Sequence, residues 1–98
     1  MMVGVDVLRQ MATKYIWWKT PDEAMRYPRR VITQVMNMGD YGDVQTMVHA
    51  IGNEALKEAL RNAEAGELSE KSWVYWHLRL GLCRPDGSSP PLPVRRVE

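Results

Sequence analysis

At 98 residues, 45% of them hydrophobic and 26% charged, the chain has room for one small globular domain, which excludes a second domain and general disorder. The net charge of +1 conceals a neutral body: Arg84, Asp86, Arg95, Arg96 and Glu98 carry three positive and two negative charges, leaving ten of each sign elsewhere, so no long-range positive field gathers nucleic acid. The single cysteine, Cys83, excludes an internal disulfide and a thiolate zinc site, and the lack of a signal-peptide pattern or a long apolar run leads us to expect a cytoplasmic protein with no membrane association.

The first residues carry two competing patterns. Val3, Val5 and Val7 alternate as in a strand, whereas Val7, Leu8 and Met11 suit a helix. Met11-Ala12-Thr13-Lys14 also has the form of a translation start. Residues 1–13 are therefore expected to be a loosely held extension of uncertain order, followed by a helical domain over 14–83. Tyr15-Ile16-Trp17-Trp18 reads as a short extended stretch, which would send the two tryptophans to opposite sides, one into the core and one to the surface.

Thr20-Pro21-Asp22-Glu23 predicts a helix start: a threonine cap, a proline at the first helical position and a glutamate closing a capping box. Pro28 ends that helix by forcing Tyr27 out of helical conformation, and then opens the next. Over Pro28–Met38, Val31, Ile32, Val35 and Met36 form an apolar face, and Gly39 is expected to end the helix in a left-handed conformation. A third helix, Asp43–Ile51, places Val44, Met47, Val48 and Ile51 in register before Gly52. A fourth, capped by Asn53, presents Ala55, Leu56, Ala59, Leu60 and Ala63 and closes at Gly66.

Ser69 caps the fifth helix, about Glu70–Leu80, which is apolar almost all round and so expected at the centre of the fold. Residues 84–98 form a proline-rich basic tail, extended and mobile unless bound. The expected fold class is all-α, a compact bundle of about five short helices with an extended Pro-rich C-terminal tail.

The search for chemistry returns no catalytic residues, no metal site and no cofactor. His49 and His77 lack a metal-ligand spacing. Asp40 and Asp43 are better explained as helix caps than as cation ligands, and Cys83 has no activating base beyond the neighbouring Arg84. The helices around Gly52 have a helix-turn-helix spacing, but Glu54, Glu58 and Glu64 are a poor face for a phosphate backbone.

What remains are contact residues. Trp73 and Trp76 are first of all core candidates in a chain without phenylalanine. The functional alternative is an exposed aromatic surface of Trp17, Trp18, Trp73, Tyr75 and Trp76, joined by Leu92, Arg95 and Arg96 of the tail, which docks a protein partner or a second copy. A nucleic-acid reading uses Lys14, Lys19, Arg26, Arg29 and Arg30 beside the tryptophans. Pro90-x-x-Pro93 followed by Arg95 and Arg96 has the form of a polyproline ligand, or of an arm folding over its own domain or a partner with Leu92, Val94 and Val97 as anchors.

The segments Tyr15–Ala24 and Ser69–Gly81, with the Trp73-Val74-Tyr75-Trp76-His77 motif and the Pro-Pro-Leu-Pro tail, resemble a family of short bacterial proteins of unknown function. The resemblance runs from Lys14 to Arg96. It implies an encoding beside nucleotidyltransferase-type toxins of the abortive-infection class, and hence an antitoxin-like or accessory role. It supplies no catalytic residues. The expectation is a non-enzymatic interaction module.

Overall fold

A computed structural model describes residues 3–93 of the chain. It is all-α, with five helices in the order α1 (Val3–Tyr15), α2 (Pro21–Ala24), α3 (Pro28–Met38), α4 (Tyr41–Arg61) and α5 (Glu70–Arg79). Helix α1 stands where a loose extension was expected. Its sequence fits strand or helix about equally, and packing decides: Leu8, Met11 and Ala12 are buried in the common core, along with Ile16 just beyond the helix.

Local chemistry sets most of the other boundaries. Thr20 Oγ1 accepts the Glu23 amide at 3.2 Å to start α2, Asp40 Oδ1 accepts the Asp43 amide at 2.8 Å to start α4, and Ser69 Oγ accepts the Ser72 amide at 3.2 Å to start α5. Helix α3 lays Val31, Ile32, Val35 and Met36 into the core, as its stripe predicts. Gly39 departs from expectation: with φ −68° it is extended rather than left-handed. A glycine is still required, because a Cβ there would lie 2.5 Å from the Val35 carbonyl oxygen.

The expected third and fourth helices are the two halves of α4. Gly52, at φ 81° and ψ 165°, breaks the helical path between them. That region is open essentially to glycine alone, and the bend lets Val44 and Met47 on one side, and Leu56, Ala59 and Leu60 on the other, face the same core.

Helix α5 packs with one face, not all round. Trp73, Trp76, His77 and Leu80 are buried, while Val74, Tyr75 and Leu78 stay exposed. The segment after α5 turns sharply at Arg84–Ser88, where the Arg84 amide donates to the Ser88 carbonyl and the Gly87 amide to the Arg84 carbonyl, each at 2.8 Å. The chain then runs back along α5 as an arm. Trp73 Nε1 donates to the Pro90 carbonyl oxygen at 2.8 Å, and half-buried Leu92 packs on the core. No described helix is long and apolar enough to cross a membrane.

Candidate functional site

The corner between α1 and α3 brings Trp17, Trp18, Lys19, Tyr27 and Arg30 to one exposed surface. Tyr15 closes α1, and the Lys19 amide then donates to the Ile16 carbonyl at 3.1 Å, turning the chain. This corrects the extended reading of 15–18. In a turn the alternation of a strand is lost, and both tryptophans face water: Trp17 is 76% and Trp18 58% exposed. They meet edge to face, ring centroids 5.7 Å apart and planes at 88°.

A cleft of about 340 Å³ opens beside them. Trp18, Lys19, Tyr27 and Arg30 form its rim, with Gln34 and Asn37 further along α3. Tyr27 is exposed, held outside the helix by the proline that follows, and the Arg30 guanidinium lies 5.1 Å from its ring centroid. The far wall is Glu67, fixed by Arg29 Nη1 at 2.5 Å, by the Thr33 hydroxyl at 3.3 Å and by the Glu64 amide at 2.6 Å. Burial pushes the Glu67 carboxyl up, but the Glu64 amide and the Arg29 guanidinium outweigh it and hold the group below the usual carboxylate range.

The structure divides the five-residue basic set. Lys14 is bound to Asp43 at 2.6 Å, with Asp40 at 3.5 Å, and Arg29 is bound to Glu67. The cation that sits between Asp40 and Asp43 is therefore the chain's own ammonium. Tyr15 OH donates to the same Asp43 oxygen at 2.5 Å and accepts the Asp40 amide at 3.2 Å, which ties the end of α1 to the start of α4. The Lys14 ammonium and the Tyr15 hydroxyl hold the Asp43 carboxyl below its ordinary range. Among the described residues Lys19, Arg26 and Arg30 have no carboxylate within ion-pairing distance.

The expected aromatic surface is likewise divided. Trp76 is 1% exposed, and its Nε1 donates to the Met36 carbonyl oxygen at 2.9 Å. Trp73 is 7% exposed beneath the arm. Both follow the first of their two readings, core, and drop out of the contact set, because they share the one face of α5 that packs on the domain. His77, buried with its ring 4.3 Å from that of Trp73, donates Nδ1–H to the Trp73 carbonyl at 2.7 Å and is structural. Tyr75 remains exposed on α5, its hydroxyl accepting from Arg79 Nη1 at 3.0 Å. Leu92 anchors the arm on its own domain, while Val94, Arg95, Arg96 and Val97 lie outside the described residues.

Tyr27 and Met38 are contact candidates that sequence reasoning passed over; both are exposed on the rim of the cleft. Tyr27 could have been found, since a residue forced out of the helix by Pro28 has few ways to bury its ring. Comparison with protein-family models, with curated proteins and with solved structures finds no significant match to this chain.

Proposed function

We propose that this protein is a non-enzymatic interaction module whose contact surface is the α1–α3 corner. The observation that carries the reading is the pair of adjacent exposed tryptophans beside a cleft rimmed by Lys19 and Arg30, two cations without a carboxylate partner among the described residues. Tryptophan covers about 150–250 Å² when buried and is a favoured anchor at protein interfaces. Leaving two in water at one turn gives up that apolar gain in the isolated chain and recovers it on docking. The matching segment presents an apolar side chain for Trp17, Trp18 and Tyr27, with carboxylates for Lys19 and Arg30.

A cytoplasmic nucleotidyltransferase-type toxin is the partner class implied by the resemblance, which would make the protein antitoxin-like. Of the motif behind that resemblance, Trp73, Trp76 and His77 are buried, so those residues speak for a shared core and not for a partner; the corner supports the interaction role by itself. The test is affinity purification from native cells. A stoichiometric protein recovered with the wild type and lost with Trp18→Ala supports the reading, and a partner retained at full yield by a Trp17→Ala/Trp18→Ala variant refutes it.

A second reading is favoured by the same cations. With Trp17, Trp18 and Tyr27 as stacking platforms, Lys19, Arg26 and Arg30 could follow the backbone of a single-stranded nucleic acid. Three phosphate contacts give a log–log salt slope of about −2. An affinity for single strands with that slope would replace the protein-partner reading, and no binding at low salt removes the alternative.

A further inference from the structure

A proline-rich segment has an unusual hydrogen-bonding character. Its proline residues carry no N–H, so it offers carbonyl acceptors and apolar rings but few donors, and whatever receives it must supply the donor. Helix α5 supplies one. Trp73 is the most nearly buried large side chain along the path of the arm, and its indole N–H has one partner among the described residues, the Pro90 carbonyl oxygen. That carbonyl precedes Pro91, so it belongs to a stretch that cannot join a sheet. The contact spans 17 positions and joins an aromatic donor on a helix to a free acceptor of an extended chain.

The arm leaves part of this face of α5 uncovered. About 430 Å³ of open groove lies between α5 and the arm, lined by Trp73, Val74 and Leu78 on the helix and by Pro90, Pro91 and Leu92 opposite. Val74 and Leu78 are still exposed with the arm in place. The face thus combines a tryptophan donor with an exposed apolar floor, features with which polyproline helices are recognised.

We propose that the α5 groove is a polyproline-binding site, occupied in cis by Pro90–Pro93, and that it takes a Pro-Pro-x-Pro segment of another protein when the arm is displaced. This site lies on a different surface from the α1–α3 corner and stands independently of it. The arm is an intramolecular competitor: if it is seated nine-tenths of the time, the apparent affinity for an outside ligand falls about tenfold.

The probe is a synthetic peptide with the sequence of residues 86–98, titrated into the full chain while the Trp73 indole N–H resonance is followed. In protein carrying Leu92→Asp, which unseats the arm, the peptide binds about tenfold more tightly than in the wild type. Adding Trp73→Phe removes that gain, and a peptide with its prolines replaced by alanine does not bind. Saturating peptide shifts the Trp73 resonance of the wild type as well, a readout that needs no variant to fold. The proposal is overturned if millimolar peptide leaves the Trp73 resonance unmoved in wild type and variant. It is equally overturned if Trp73→Phe leaves binding undiminished, or if the Leu92→Asp protein pairs with a second copy and ignores the peptide.

Discussion

Trp76 Nε1 donates a 2.9 Å hydrogen bond to the carbonyl oxygen of Met36, forty positions away, and so pins α5 to the last turn of α3. The indole is almost fully enclosed. Its one polar atom is thus satisfied inside the core, which fixes the rotation of α5 and directs Val74, Tyr75 and Leu78 outward.

Trp76→Phe keeps much of the packing but leaves the Met36 carbonyl without its donor. A loss of about 1–3 kcal/mol is expected from the unmade bond. Trp76→Ala adds a cavity and reaches about 3–5 kcal/mol, a large share of the ~5–10 kcal/mol available to so small a domain. Urea denaturation followed by circular dichroism measures both.

Trp17→Ala and Trp18→Ala should behave in the opposite way. Both side chains stand in water, so stability is expected to change by no more than about 0.5 kcal/mol. A large loss in the same denaturation experiment would mean that the tryptophans hold the turn together instead of serving a partner.

Gly52→Ala is expected to destabilise by about 1–3 kcal/mol, because an L side chain cannot relax at φ 81°, ψ 165°. The added methyl meets nothing within 4 Å, so backbone strain is the whole effect. Gly52→Asn should lose a comparable amount, since the strain lies in the backbone, and thermal melts of the two variants read the comparison.

The carboxyls of Asp43 and Glu67 are both held below their ordinary range. A depressed folded-state pKa adds stability that is complete above the unfolded value, about 3.9 for Asp and 4.3 for Glu, and vanishes as pH falls through the folded value. The urea midpoint is therefore expected to hold from neutrality to about pH 5 and to drop below about pH 4. Asp43→Asn should flatten that acid limb. Tyr15 is shifted upward, by burial and then by its bond to Asp43, so its contribution is present below about pH 10 and is lost as pH rises through the folded value.

These contacts also mark where sequence reading ends. The caps at Thr20 and Ser69, the start at Pro28 and the break at Gly52 were legible because each depends on neighbours within about four residues. The buried face of α5 was hidden, because the helix is apolar almost all round and only packing selects the stripe of Trp73, Trp76, His77 and Leu80. Helix α1 was hidden as well: Val3, Val5 and Val7 alternate, and only contact with distant parts of the core selects a helix. The site depended on longer range still. Lys14 meets Asp43 across 29 positions, Arg29 meets Glu67 across 38, and Trp73 meets Pro90 across 17. Those pairings decide which cations and tryptophans remain free, and no local pattern encodes them.

The central claim is that the α1–α3 corner is a protein-docking surface, and photo-crosslinking in native cells tests it most directly. A photoreactive phenylalanine analogue placed at position 17, 18 or 27 should yield one dominant protein adduct common to all three positions. The same analogue at position 49, an exposed site on α4, should yield none of it. Adducts to nucleic acid, or an adduct pattern identical at position 49, would contradict the claim.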